Sequence, residues 1–484
     1  MILKTSVVSA CLSCVAIFVL VGCEQEATIL PGHSRPLLEH DWPHPRDYTF
    51  EPSSFRPPDP ATARLEAASG LRAYVMTDSS DPLVQVTAAV PIGRFYEREG
   101  EAGASEALTR VLTDDSQGSP PLSLRLESLG TRLDAQLEVD GLTLSVEVLS
   151  EDWENAVRLM VDVLRNRRVE RATDEFRTGP GFASPTAGVT GRGFQPKVEL
   201  ERRLGGYPLS PPEPGMAVEL EAVRALASRS LAPNRIVLGI GGNVPRDEGV
   251  SLLAELTSGW APASEAAEPR ELASRDGSGN LETIDVDTLE GWVAIGRGLG
   301  PVPADERAPL AVLGEVLGTR LNISVREIRG LANRATFFLP ETTNGAGLLH
   351  IRTGGRLEAV APLIKYCREE MAALHRNERP VTEEELALAK GILRLGKWQE
   401  SLDGARRAAA AYALATLHDG DTGRLLSWPE DVEAVSADQV EAVAKKYLDP
   451  RTMDTVVIGP IERIREARHP RWPADLDALS SVLK

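Results

Sequence analysis

One helix-to-strand cadence, used twice, constrains this chain more than any other feature. Residues 220–231 have helical spacing, Ala232-Pro233 closes the stretch, and Arg235-Ile236-Val237-Leu238-Gly239 reads as a strand. The order returns at residues 436–448, closed by Asp449-Pro450 and followed by Thr455-Val456-Val457-Ile458-Gly459, so Pro233 and Pro450 stand 217 residues apart. Proline ends each helix because it has no amide hydrogen and its ring clashes with the preceding turn. Ser436 and Gln439 form a capping box for the second helix. Length alone would allow about three domains. The repeat reduces the count to two and implies a duplicated unit.

The expected fold is therefore α+β: two homologous domains, each a mainly antiparallel sheet packed with helices, joined by a linker. Within the first half, Leu71–Met76 alternates like a half-buried strand, residues 78–82 turn the chain, and Leu83–Val90 is the next strand. Residues 101–112 and 121–129 have helical spacing. Strands over 132–139 and 142–149 are joined by Asp140-Gly141, a hairpin signal. Residues 151–164 place Trp153, Val157, Met160 and Leu164 on one helical face. A stretch rich in Ala, Ser, Glu and Gly then separates the halves. The boundaries read as 61–262 for the first domain, 263–281 for the linker, 282–470 for the second domain and 471–484 for a tail.

The start of the chain follows other rules. Lys4 precedes an apolar run, Val7–Val21, too short to span a bilayer comfortably but suited to the core of a signal peptide. Leu20-Val21-Gly22-Cys23 resembles the lipobox of bacterial lipoproteins, which implies cleavage before Cys23 and its lipidation. Glu24 stands where an aspartate would direct retention in the inner membrane, so residues 1–23 imply an outer-membrane location facing the periplasm, with the lipid anchor as the only membrane contact. Residues 24–60, with Trp42-Pro43-His44-Pro45 and Arg56-Pro57-Pro58-Asp59-Pro60, read as a proline-rich tether. The four cysteines are Cys11, Cys14, Cys23 and Cys367. The first two leave with the signal peptide, so Cys367 has no disulfide partner, and its spacing suits the buried side of a helix. A net charge of -18 without any basic run excludes nucleic acid as a partner; it reads first as a charge that maintains solubility, and secondly as one that attracts cationic peptides or protein faces.

Further segments carry a family resemblance. The strand pair from Gly70 to Val90 is followed by the glycine-led stretch Ala102-Gly103-Ala104-Ser105-Glu106-Ala107-Leu108-Thr109-Arg110-Val111-Leu112. Leu126-Glu127-Ser128-Leu129-Gly130, Asp134-Ala135 and Glu147–Asp152 come next. The second half has Leu313–Gly318, Arg326–Ala332 and Thr382–Leu386, where Thr382 and Glu385 cap a helix. In order and spacing, from about residue 62 to 465, this resembles the pitrilysin/insulinase family of zinc metallopeptidases, which includes the mitochondrial processing peptidase.

The resemblance implies a helix bearing His-x-x-Glu-His, with two imidazoles one turn apart on zinc and a glutamate as base. Aligned on Gly103, the histidine positions hold Glu106 and Arg110, and the base position holds Thr109. None of the seven histidines (His33, His40, His44, His350, His375, His418, His469) lies between His44 and His350, so no register restores the motif in the first domain. The distal glutamate has no counterpart in residues 182–188. Glu106 and Arg110 are expected to form an ordinary surface ion pair. His40 and His44 have helical ligand spacing but enclose Pro43, and the other histidines are read as structural or surface groups. The family's substrate-holding arginine and tyrosine correspond to Arg326 and Asn333; an amide can donate to an oxyanion but cannot replace a phenol. Arg326 reads equally well as a peptide contact or as a surface arginine paired with Glu327.

These departures imply no metal, no cofactor and no catalytic residue. The expected role is a non-catalytic accessory subunit that pairs with a zinc-bearing homologue to enclose peptides in the periplasm. The alternative is a stand-alone peptide-binding or scaffolding pseudoenzyme.

Overall fold

The computed structural model describes residues 55–114, 120–165, 169, 176–177, 196–213, 215–265, 267–270, 272–340, 342, 344–471 and 475–482. Arg56–Lys484 forms one compact unit.

The first half contributes β1 (Arg64–Glu66), β2 (Arg72–Thr77), β3 (Leu83–Val90), β4 (Asp134–Leu137) and β5 (Leu142–Leu149). A short pair follows, β6 (Phe176–Arg177) with β7 (Ala217–Val218), and then β8 (Val237–Gly242). The second half contributes β9 (Leu281–Asp285), β10 (Gly291–Leu299), β11 (Ala335–Phe338), β12 (Gly347–Gly355) and β13 (Asp454–Gly459).

The first sheet has the order β1-β2-β8-β3-β5-β4 and the second β11-β12-β10-β13-β9. Read in opposite directions, and with the extra edge strand β1 of the first sheet set aside, the orders coincide. In each half the strand after the helix–proline stop inserts between the first two long strands. It runs parallel to the earlier one (β2∥β8, β9∥β13) and antiparallel to the later one. The repeated cadence is thus the signature of a duplicated, mainly antiparallel α+β unit.

The helices of the first half are α1 (Ala104–Thr113), α2 (Leu122–Ser128), α3 (Trp153–Arg165), α4 (Pro196–Gly205), α5 (Leu220–Ser230) and α6 (Arg246–Thr257). The longer helices of the second are α7 (Ala304–Leu321), α8 (Val360–His375), α9 (Glu383–Gly391), α10 (Gly404–Asp419), α11 (Gly423–Glu433) and α12 (Ala437–Tyr447). π-Helical segments, Asn322–Ile328 and Ile392–Gln399, extend α7 and α9. Local signals read from the sequence are present in the fold. Thr382 with Glu385 and Ser436 with Gln439 make reciprocal capping boxes. Trp153, Val157, Met160 and Leu164 are buried on α3, and Cys367 is buried on α8, where burial pushes its thiol up to about 12.

Two apolar cores lie on one side of the sheets, with Leu108, Leu144, Met160 and Leu226 in the first and Leu313, Leu349, Leu363 and Val457 in the second. The other side of each sheet is covered by a helix from the opposite half: α10 lies on β2, β3 and β8, and α4 lies on β10, β12 and β13. This exchange corrects the reading of Leu71–Met76 as half-buried. Ala73, Tyr74 and Val75 are all buried, because α10 covers the face that alternation assigned to water.

The exchange also fixes the segments between and before the halves. The Arg270 amide donates to the Phe95 carbonyl, Arg275 bridges to Gly298, and Asp454 accepts from the amides of Ser278 and Asn280. At the start of the unit the Tyr412 hydroxyl of α10 donates to the Pro58 carbonyl, and Asp59 caps a short helix, Pro60–Ala63.

Candidate functional site

α1 carries the three positions of the degenerate motif. Gly103 enters it at φ 86°, a left-handed conformation that favours glycine. The helix has no cap from its own side chains. Instead, Glu97 reaches in from the preceding turn: its carboxylate accepts from the Gly103 amide at 3.1 Å and the Ser105 amide at 2.7 Å. The Tyr207 hydroxyl, just beyond α4, donates to the same carboxylate. An anion at a helix N-terminus is favoured by the free amides and the helix dipole. Glu97 is nevertheless fully buried, and burial outweighs these donors and raises its pKa.

Glu106 stands one turn further along and is 8% exposed. Burial raises its pKa above the usual carboxylate range; Arg94 opposes this, Glu97 adds to it, and Arg110 and Arg202 oppose it. The expectation of an ordinary surface pair is thereby corrected. Glu106 belongs to a buried mixed-charge cluster, because α1 packs beneath the loop carrying Arg94 and Glu97 rather than facing water. That loop is positioned by the β4–β5 hairpin, whose Val139 carbonyl accepts from the Phe95 amide at 2.8 Å. Arg94 in turn donates to the carbonyls of Pro208 at 3.0 Å and Leu209 at 3.4 Å. Beside the cluster, Arg229 of α5 forms a buried two-point ion pair with Glu101, at 3.0 and 2.6 Å.

Thr109 is fully buried, and its hydroxyl donates to the Ser105 carbonyl at 2.8 Å. Arg110 is partly buried. These residues do not fit a zinc ion. A hydroxyl tied to its own helix cannot serve as base, a guanidinium repels a dication, and Glu106 alone is one ligand where three or four are needed. Among the described residues, no three His, Cys, Asp or Glu side chains converge as a metal site. The cluster can anchor α1 and present buried charge, and the motif positions hold a carboxylate, a hydroxyl and a guanidinium but no imidazole.

The exchange of helices extends the charged region into the second half. Glu201 of α4 accepts from Arg352 of β12 at 3.0 Å and lies 3.9 Å from His350. Phe338 stacks on His350 at 4.8 Å and lies under the Arg352 guanidinium at 4.3 Å. His418 of α10 lies 3.7 Å from Asp140 in the first-half hairpin. His350 and His469 are buried, and His375 is partly exposed. The sequence reading missed Arg94, Glu97, Glu201 and Asp140. No short-range spacing rule connects Glu97 to an amide eight residues away, Arg94 reaches Glu106 from a loop outside α1, and Glu201 and Asp140 meet Arg352 and His418 only through the exchange.

The second candidate pair is elsewhere. Arg326 is exposed on the π-helical segment and lies 3.3 Å from Glu327, and Asn333 is exposed in the irregular stretch before β11. The surface pairing, one of the two readings of Arg326, is therefore present. Cys23, His40, His44 and residues 182–188 lie outside the described residues.

Comparison with known proteins adds to this picture. Residues 73–176 match the family model for insulinase (peptidase family M16), and residues 217–393 match that for the peptidase M16 inactive domain. An uncharacterized zinc protease of Mycobacterium leprae is 24% identical over 417 residues, 82% of this chain and 91% of its own length. An uncharacterized zinc protease of Streptomyces coelicolor is 28% identical over 400 residues, 78% of this chain and 85% of its own. Among solved structures, a peptidase M16 inactive domain from Pseudomonas fluorescens aligns with TM-score 0.65 at 18% identity, covering 84% of this chain and 99% of that one. A protease from Helicobacter pylori aligns with TM-score 0.63 at 14% identity, covering 82% and 99%. With two sheets of matching order and both family models in sequence, the chain belongs to the M16 insulinase/pitrilysin family of peptidases.

Proposed function

We propose that this chain is a non-catalytic member of its family, an accessory subunit that pairs with a zinc-bearing homologue and helps to enclose and bind peptides. The observation that carries the reading is the state of α1. Glu106 and Thr109 are buried at a ligand position and the base position, Thr109 is bonded back to Ser105, and Arg110 brings a cation to the other ligand position. Charge chemistry then points to the substrate: a net charge of -18 attracts cationic peptides. Arg326 and Asn333, seven residues apart and exposed, can donate to a peptide carbonyl or carboxylate. A stable pairing would bury more than about 1,000 Å². Anchoring through Cys23 would hold the pair at the outer membrane, facing the periplasm; Cys23→Ser should then release the chain from the membrane fraction.

The decisive experiment compares the chain from residue 24 onward, alone and mixed with a zinc-bearing homologue, by zinc content and peptide cleavage. Zinc-free, inactive chain that raises the homologue's cleavage within a defined complex is the expected result. Cleavage by the chain alone, with zinc bound, would falsify the reading. Asn333 in place of the phenol favours the second reading, a stand-alone peptide-binding or scaffolding pseudoenzyme. Peptide binding without a complex or stimulation would select it.

A further inference from the structure

A cavity of about 960 Å³ lies behind α10, on the side away from the first sheet. It is a consequence of the exchange. α10 seats Ala408, Ala409, Tyr412 and Thr416 against the first sheet, so its opposite ridge, Ala411, Leu414, Ala415 and His418, faces α7, α11 and the π-helical segment across open space. The size is that of a site for a small or medium organic ligand.

The walls are mixed. Leu310, Leu393, Leu414 and Trp428 supply an apolar surface, Arg307, Lys397 and Arg424 supply cations, and Asp305, Glu315, Asp419 and Asp431 supply carboxylates. Arg424 is already matched, its Nε donating to Asp419 at 3.0 Å. Arg307 is not. Its one hydrogen bond among the described residues runs from Nε to the Val302 carbonyl at 3.0 Å, and no carboxylate among them pairs with it. Burial disfavours its charge and Arg424 disfavours it further, with only Asp419 acting the other way. Glu315, also in the wall, is taken by Lys397 at 2.6 Å. Over the whole lining the carboxylates outnumber the arginines and lysines, but the only charges that act on Arg307 are Arg424 and Asp419, so the positive excess is local to the two guanidiniums.

We propose that this cavity binds a single-chain anionic amphiphile, its apolar tail along Leu310, Leu393, Leu414 and Trp428 and its anionic head on Arg307 beside Arg424. The tail gains by leaving water, and the head gains charge-assisted hydrogen bonds from a guanidinium with donors to spare. The inference is independent of the accessory-subunit reading, because no residue of α1 takes part.

The test is calorimetric titration of the full chain with dodecanoate and, separately, with dodecyltrimethylammonium, both below micelle formation. The net charge of -18 favours the cation nonspecifically, so preference for the anion is a demanding result. One saturable dodecanoate site is expected, weakened about tenfold or more by Arg307→Gln while dodecyltrimethylammonium binding is unchanged. Ala415→Trp, which fills the cavity, should abolish dodecanoate binding while the melting temperature stays near that of the parent. If that variant does not fold, Arg307→Gln alone decides. Absence of a saturable site, indifference to Arg307→Gln, or binding that survives a folded Ala415→Trp overturns the proposal. So does a short apolar peptide with a free C-terminus that displaces dodecanoate and binds more tightly.

Discussion

Each sheet is closed by a helix from the other half, and the two closures differ in kind. α10 lies so close to the first sheet that a side chain on Gly239 or Gly241 of β8 would collide with the carbonyls of Ala409 and Ala405. The helix matches this with alanines: Ala405, Ala408, Ala409 and Ala413 are all buried. α4 stands off the second sheet on leucines instead, with Leu200 and Leu204 packed on Ala294, Val456 and Ile458. A backbone-to-backbone seat has no slack, because the nearest atoms are carbonyls that cannot move aside. A leucine layer can relax partly around a smaller residue. The first half therefore depends on the exact size of two residues, and the second on the amount of apolar surface buried.

That contrast can be broken by mutation. The largest effect is expected from Gly239→Ala with Gly241→Ala, which should lift α10 and cost about 3 kcal/mol or more in chemical denaturation. A loss below about 1 kcal/mol would mean that α10 is not seated on the backbone. Leu200→Ala should cost roughly 2–4 kcal/mol, with the cavity partly collapsing. An effect as large as that of the glycine pair would erase the distinction between the two closures.

Tyr412→Phe tests the edge of the first closure. Its hydroxyl donates to Pro58, while Tyr74 beside it bonds Thr416 at 2.7 Å. The loss should be about 1 kcal/mol, accompanied by faster proteolysis near residue 58. Unchanged cleavage there would show that this bond does not hold the start of the unit.

The smallest effect concerns the buried charge between the closures. Glu106 titrates above its ordinary value of 4.5, chiefly through burial, so the folded state binds more protons than the unfolded state as pH rises past that value. Its contribution is therefore greatest at low pH and is lost as pH rises through the folded pKa. Glu106→Gln should flatten this fall in stability, measured as denaturation midpoints from pH 4.5 upward. A parallel curve for the variant would place Glu106 in water.

Much of the architecture was legible because it rests on local rules. The capping residues Thr382 and Ser436, the apolar face of α3 and the buried Cys367 each act within a few residues; the hairpin at Asp140-Gly141 is present too, but its turn takes in residues 138–141 and the strand expected over 132–139 is only Asp134–Leu137. That Glu106, Thr109 and Arg110 share one helix was legible as well, from helical spacing. Their surroundings were not. Arg94 and Glu97 come from a loop outside the helix, and Glu201 reaches Arg352 across 151 residues of chain. Long-range charge pairs leave no periodicity, so Glu106 could be read as exposed when it is buried.

The sequence by itself determined the duplication, the family and many of the places where helices start and stop. These follow from backbone chemistry: which residues can cap, which cannot donate, and which side chains recur at a helix or strand period. Only the tertiary structure decided that each half lends a helix to the other. The exchange buries both faces of β2, pairs Glu201 with Arg352, and leaves a cavity behind α10. It depends on how two completed sheets cover their remaining apolar faces, and that solution is chosen by surfaces hundreds of residues apart rather than by any neighbouring pair.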